Sequence, residues 1–169
     1  MALITLGANS GKGKVLQVVS ATKSDTYAAN AGLQTFFDIT GLSLSITPSS
    51  TSNKILILAT IMGNGSPSSS RLGFRLMRDS TAIGIGDEAG NRARLTTNPL
   101  YGGTSGRPIE PTSINFLDTP SSTSSLTYKI QGYQTESTNT HFINRSSTDS
   151  DLASYVRTIS TITAYEIQG

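Results

Sequence analysis

The sequence predicts an all-β domain: an antiparallel β-sandwich, jelly-roll-like, with a short N-terminal arm. Three observations carry this. Short runs of aliphatic, aromatic and β-branched residues recur along all 169 residues, separated by Gly, Pro, Asn and Ser clusters. Several runs alternate strictly between aliphatic and hydroxyl side chains, the two-residue period of a half-buried strand. No window carries a capped 3.6-residue apolar stripe, so the crossover helices that a parallel sheet needs are missing. About eight to ten such strands, spaced by roughly ten residues, suit a sandwich or barrel, of which the jelly roll is the eight-stranded double-sheet form.

In chain order, residues 1–13 read as the arm, in which Met1-Ala-Leu-Ile-Thr-Leu6 is apolar and a Gly-rich hinge follows; the sandwich occupies 14–169. An arm of this kind is expected to dock on its own domain, a sister subunit or a larger assembly. Val15–Ser20 is the first strand. Leu33–Ile39 and Leu42–Ile46 follow, the second with Leu42, Leu44 and Ile46 on one face and Ser43, Ser45 and Thr47 on the other. The turn Pro48–Asn53 leads into Ile55–Met62, where Ile55–Leu58 is continuously apolar and is expected to be covered on both faces. Gly63–Pro67 leaves this strand.

Leu72–Met77 and Thr81–Ile85 flank Arg78-Asp-Ser-Thr81, a tight hairpin, and Arg92–Leu95 is a short strand candidate. Thr96–Pro111, rich in Pro and Gly, reads as an extended surface loop. Ile114–Leu117, Leu126–Tyr133, His141–Asn144 and Tyr155–Ile167 complete the set, with Leu126, Tyr128 and Ile130 facing inward against Thr127, Lys129 and Gln131.

Composition argues against catalysis. Ser and Thr make up 48 of 169 residues, while there is no Cys, no Trp and a single histidine, His141. Few side chains are therefore present that move protons, attack carbonyls or hold metals. A net charge of +2 is small for a nucleic-acid binder, although Lys12, Lys14 and Lys23 make the beginning of the chain basic. No stretch approaches the ~20 apolar residues that span a bilayer, and the apolar residues of the N-terminus precede its basic ones, the reverse of a secretory signal. Synthesis in a cytoplasm is expected, with no disulfide to depend on redox state.

The constellations with chemically active side chains are weak. Gly7-Ala-Asn-Ser-Gly11-Lys12-Gly13 has the look of a phosphate-binding loop but is one residue short, lacks the hydroxyl after Lys12 and precedes a strand, so it reads as a linker. No nucleophile-elbow pattern surrounds any serine that His141 would serve. Asp149-Ser-Asp151 and Asp87-Glu88 are possible hard-cation ligands without a binding-loop signature and read as solvated turn carboxylates. Arg71, Arg75, Arg78, Arg92 and Arg94 form a cluster with few aromatics beside it, which suits ion pairs or a subunit contact, with Asp79, Asp87 or Glu88 as partners of Arg92 and Arg94. Asn144-Arg145-Ser146 matches the glycosylation triplet, a match common by chance. No catalytic residue, cofactor or metal is predicted.

Asp38-Ile-Thr-Gly-Leu-Ser-Leu-Ser-Ile-Thr-Pro48, Asn53-Lys-Ile-Leu-Ile57, Gly73-Phe-Arg-Leu-Met-Arg-Asp79, Ile83-Gly-Ile-Gly-Asp87, Ile114-Asn-Phe-Leu-Asp118 and Arg157-Thr-Ile-Ser-Thr-Ile-Thr-Ala164 together resemble a jelly-roll-like domain of tailed-bacteriophage virion proteins. The resemblance spans Asp38 to Ala164. It implies a homotrimer on the outside of the capsid, a decoration (cement) protein whose partners are its own copies and the major capsid protein, with no nucleic acid or membrane. It also implies an alternative, a tail-fibre, tail-tip or head-fibre component that meets a host surface glycan through the Thr96–Pro111 loop and Tyr101. No shaft, collagen-like repeat or heptad precedes the sandwich, which favours the first. Leu3, Ile4, Leu6, Lys12 and Lys14 are the residues expected to contact the shell or a sister subunit.

Overall fold

The computed structural model describes residues 13–66, 71–101, 109–135 and 140–169. Among them are eleven strands and no helix: β1 (Val15–Lys23), β2 (Tyr27–Ala29), β3 (Thr35–Ile46), β4 (Lys54–Ser66), β5 (Arg71–Arg78), β6 (Thr81–Ile83), β7 (Thr97–Tyr101), β8 (Glu110–Asp118), β9 (Leu126–Gln134), β10 (Thr140–Ile143) and β11 (Ser160–Ile167).

All pairings are antiparallel and fall into two sheets. The first runs β1-β11-β4-β8, with β10 continuing beside the far half of β4 and β2 beside β10. The second runs β3-β9-β5, with β6 and β7 both on the outer edge of β5. Long strands adjacent in the chain fall in opposite sheets: β1 then β3, β4 then β5, β8 then β9. That alternation is the winding of a jelly roll, and the all-β sandwich expected from the sequence is what the chain forms.

Alternation builds the core. Leu42, Leu44 and Ile46 of β3, Ile55, Ile57 and Ile61 of β4, Leu72, Phe74 and Leu76 of β5, Tyr128 and Ile130 of β9, and Ile162 and Ala164 of β11 all point between the sheets and are buried. Each such aliphatic side chain contributes about 1.5–3 kcal/mol of transfer free energy.

Four expectations need correction. Leu33–Ile39 and Leu42–Ile46 are one strand, not two, because Gly41 takes φ 88° at an irregularity between Asp38 and Ser43 and the chain carries on against β9. Ile55–Leu58 alternates after all: Ile55 and Ile57 are buried, whereas Leu56 is only partly so and Leu58 is exposed. Arg92–Leu95 is not a strand. The edge of β5 is met one residue later, where Thr96 N donates to Phe74 O and Thr96 Oγ1 accepts from Leu76 N, and β7 then begins inside the predicted loop. Pro99 is tolerated there because β7 pairs on one side only. Finally, Tyr155–Ile159 precedes β11 as a turn with an isolated Arg145–Arg157 bridge.

The Arg78–Thr81 hairpin is present, with Arg78 opposite Thr81 and Asp79 at φ 53°. Asp79 also fastens the turn to β9, since its N donates to Thr127 O and its carboxylate accepts from Thr127 N.

Candidate interaction surfaces

The titratable groups expected to matter most are used inside the fold. His141 lies in β10 between β4 and β2, fully buried, and burial pushes its pKa down to about 4, so the ring is neutral at physiological pH. A general base must reach substrate; this one is sealed in the sandwich. Asp149 is also occupied, accepting Arg145 Nη1 at 2.8 Å and Arg157 Nη2 at 2.6 Å, and no group of metal ligands exists among the described residues.

The arginines do not cluster. Arg75 lies 3.4 Å from the centre of the Phe36 ring and donates from Nε to Gln131 Oε1, while Arg78 Nη1 grips both oxygens of Asp118 at 2.9 Å. Arg94 Nε donates to Gly86 O and Arg92 Nη1 to Ala89 O, so both side chains hold their own loop instead of the carboxylates expected for them. Arg71 pairs through its backbone with Tyr101.

Three polar knots that sequence reasoning missed tie the elements together. Tyr128 Oη donates to Asp118 at 2.6 Å beside Arg78, joining the end of β8 to the second sheet; burial and then the neighbouring Asp118 push the tyrosine pKa up. Glu166 accepts from Ser49 N at 2.6 Å, Ser49 Oγ at 2.7 Å, Asn53 Nδ2 and Gln17 Nε2. Burial would raise its pKa, but the Ser49 and Asn53 hydrogen bonds outweigh that and bring it down to about 2. Asn144, fully buried at φ 63°, donates to Lys23 O and Asp25 O and accepts from Ser160 Oγ. Its amide is thus out of reach of a glycosylating enzyme, in line with the chance reading of the triplet.

What remains for function is the outside, and its two faces differ in kind. The second sheet carries a closed polar network: Lys129 Nζ and Gln131 Nε2 donate to Asp38 at 2.8 and 2.6 Å, and Gln131 is joined in turn to Arg75. The Lys129 hydrogen bond, opposed by partial burial, holds Asp38 below the usual carboxylate range.

The first sheet presents three straight rows across β1, β11, β4 and β8: Val18–Tyr165–Leu56–Leu117, then Ser20–Thr163–Leu58–Asn115, then Thr22–Thr161–Thr60–Ser113. None of these twelve residues is charged. In the first row Val18 is 53% exposed and Leu117 47%, and Leu58 of the second row is 36% exposed; nothing in the chain's described residues covers these apolar side chains. A shallow groove of about 400 Å³ runs along the second and third rows, lined by Leu58, Thr60, Ser113, Asn115 and Thr163 together with Tyr165 of the first.

The chain enters this sheet at its lip, where Gly13 N donates to Gln168 O and Gln168 N to Lys14 O. Of the residues expected to contact a partner, Lys14 is exposed at this point, and Leu3, Ile4, Leu6 and Lys12 lie outside the described residues.

A second apolar surface lies on the connection between β10 and β11, where Leu152 is 62% exposed and Val156 and Ile159 are each 55% exposed. Ion pairs from Asp149 to Arg145 and Arg157 brace this connection, and Thr158 N donates to Asn144 O.

The fold and its faces thus define an antiparallel jelly-roll sandwich with one self-satisfied face and one open face whose three central rows carry no charge. No family model matches the chain, and no curated protein does. Among solved structures it is similar to that of infectious bursal disease virus strain Gx, with a TM-score of 0.47 and 17% identity over 98% of this chain and 42% of the other. T=1 particles derived from that virus give 0.48 and 10% identity over 90% of this chain and 40% of the other. Its VP2 subviral particle gives 0.47 and 13% identity over 90% and 37%. The chain therefore spans about 40% of the length of these virus-particle proteins. None of the three comes from a tailed bacteriophage.

Proposed function

We propose that this chain is a non-enzymatic virion structural protein, a capsid decoration (cement) protein of a tailed bacteriophage. In this reading it forms homotrimers on the outer surface of the particle and stabilises the assembled shell by binding its major capsid protein. One observation carries the reading: the outer face of the first sheet combines an open apolar row with two uncharged rows rich in hydroxyls, while the titratable groups named above are spent on holding the fold. A surface of that kind suits contact with protein better than chemistry on a small molecule.

A ligand that binds only the assembled lattice stabilises it by mass action, and three linked copies achieve this with modest contacts apiece. The arm, residues 1–13, leaves from the lip of the open face and is suited to extend the contact to a neighbouring shell subunit.

The test is to mix purified protein with capsids that lack it and to count copies bound. Hundreds per particle support the reading; a dozen or so would point to a tail appendage, and no binding would reject the proposal. Removal of residues 1–13 is expected to leave a folded oligomer that no longer binds, and undiminished binding would discard the arm's part.

A further inference from the structure

We propose that the connection from β6 to β7 binds a hydroxylated monocarboxylate of the uronic-acid kind, with Arg92 and Arg94 holding its carboxylate and Asp87 its hydroxyls. The site lies at the outer edge of the second sheet, apart from the open face of the first, and stands whether or not the capsid reading does.

The connection is built as a braced hollow. Gly86 N donates to Leu95 O at 3.1 Å and Arg94 Nε donates to Gly86 O at 2.6 Å, so the outgoing and returning limbs are fastened at one residue. At the tip, Gly90 takes φ 58° and Arg92 N donates to Ala89 O. The base is seated on β5. Leu95 packs on the bare backbone of Gly73, where a Cβ would collide with it, and Thr96 bonds to Phe74 and Leu76. Between the limbs lies a space of about 320 Å³, at the small end of the range for ligand sites.

The guanidinium groups that line this space keep most of their donors. Arg92 uses Nη1 on Ala89 O and Arg94 uses Nε on Gly86 O, one of the several N–H groups that each carries. Among the described residues neither forms an ion pair, whereas Arg78, Arg145 and Arg157 all hold carboxylates. Both are exposed and stand two residues apart on the returning limb, so their like charges add where an anion could enter.

The lining also selects the anion. Two guanidinium forks against the Asp87 carboxylate leave one positive charge, which matches a monocarboxylate and disfavours a dianion such as phosphate. Glu88 is exposed nearby but is not part of the lining. A guanidinium grips a planar carboxylate through two parallel N–H···O bonds. Asp87, as a carboxylate, can only accept, which suits the hydroxyl donors of a sugar, and Ala89, Ala93 and Leu95 offer an apolar wall to its C–H groups.

The experiment is a ligand-observed NMR titration of the full chain with glucuronate and, in parallel, with glucose, acetate and inorganic phosphate. Glucuronate is expected to bind at least about tenfold more tightly than any of the others, because each of them lacks part of the match. Arg92→Gln should weaken glucuronate by about tenfold. That side chain is exposed, with one hydrogen bond to Ala89 O, so an unchanged thermal midpoint serves as the folding control. Arg92→Lys keeps the charge without the fork and should still lose most of the affinity. Asp87→Asn removes the repulsion and should narrow the gap between phosphate and glucuronate by about tenfold.

Absence of saturable glucuronate binding overturns the proposal. So does undiminished binding in folded Arg92→Gln, or binding of glucose, acetate or phosphate as tight as that of glucuronate. An Asp87→Asn variant that still excludes phosphate removes Asp87 from the site. A chain that binds glucuronate but no capsid rejects the capsid reading alone.

Discussion

Ser160 Oγ donates to Asn144 Oδ1 at 2.7 Å, tying the first residue of β11 to the residue that follows β10. The same hydroxyl accepts from Met62 N, and Asn144 N donates to Met62 O, so the two side chains knit β4, β10 and β11 where the sheet changes partner. Asn144→Ala would strand this hydroxyl and the carbonyls of Lys23 and Asp25, and it would put alanine at a left-handed φ that asparagine tolerates better. A loss of roughly 3 kcal/mol is expected in urea denaturation. An unchanged midpoint would show that the knot contributes nothing.

Stability should fall in two stages on acidification. His141 is neutral in the fold, its pKa lowered from 6.5 to about 4. Between those values the unfolded chain binds a proton that the folded one does not, so stability falls as pH drops from 6.5 to 4, by roughly 3 kcal/mol. Glu166, lowered from 4.5 to about 2, contributes fully above pH 4.5 and loses its contribution as pH falls from 4.5 to 2. Unfolding free energies measured from pH 8 to pH 2 should thus be flat, then decline through both windows. Glu166→Gln should flatten only the lower stage, and a variant with an undiminished slope below pH 4.5 would refute the assignment.

The Tyr128–Asp118–Arg78 knot gives a coupling test. Tyr128→Phe deletes one hydrogen bond to a buried carboxylate and is expected to lower stability by about 1.5–3 kcal/mol. In the Asp118→Asn background the same change should matter by at least about 1 kcal/mol less, because the charge-assisted partner has gone. Additive losses in a double-mutant cycle would mean that the two groups act separately.

Gly84 is the glycine whose replacement should be felt most clearly. It has φ 58°, and a Cβ there would fall 2.7 Å from Phe116 Cδ2. Gly84→Ala combines a left-handed conformation with a close approach and should destabilise by about 1–3 kcal/mol in thermal or urea melts. Gly86→Ala, two residues along with nothing within 4 Å of its Cβ, is the control and should be near neutral.

The sandwich was legible in the sequence because its core strands alternate. Leu42, Leu44 and Ile46, and Leu126, Tyr128 and Ile130, are buried as their two-residue period requires. Ile55–Leu58 misled because a run of four aliphatics satisfies both a doubly covered strand and a strand with one apolar outer face, and only the register shows Leu56 and Leu58 in outward rows. Tyr27–Ala29 and Thr97–Tyr101 escaped notice because each exists by pairing with a single neighbour distant in the chain or across a loop, β10 and β5 respectively, a tertiary cause that three or five residues do not encode.

The candidate site was legible in part. The hydroxyl-rich strands were plain, but the three uncharged rows on one outer face depend on which residues share a side and on the register between strands. The Asp118, Glu166 and Asn144 knots link positions 10 to 149 residues apart, beyond any local motif.

β11 lies in the middle of the first sheet, between β1 and β4, although it stands last in chain order among the described strands. Until it arrives, β1 has no partner in that sheet and one edge of β4 stands open next to Leu56 and Ile57. The sheet therefore closes only when segments far apart in the chain meet, and folding should be slow, all-or-none and prone to exchange β11 between neighbours at high concentration.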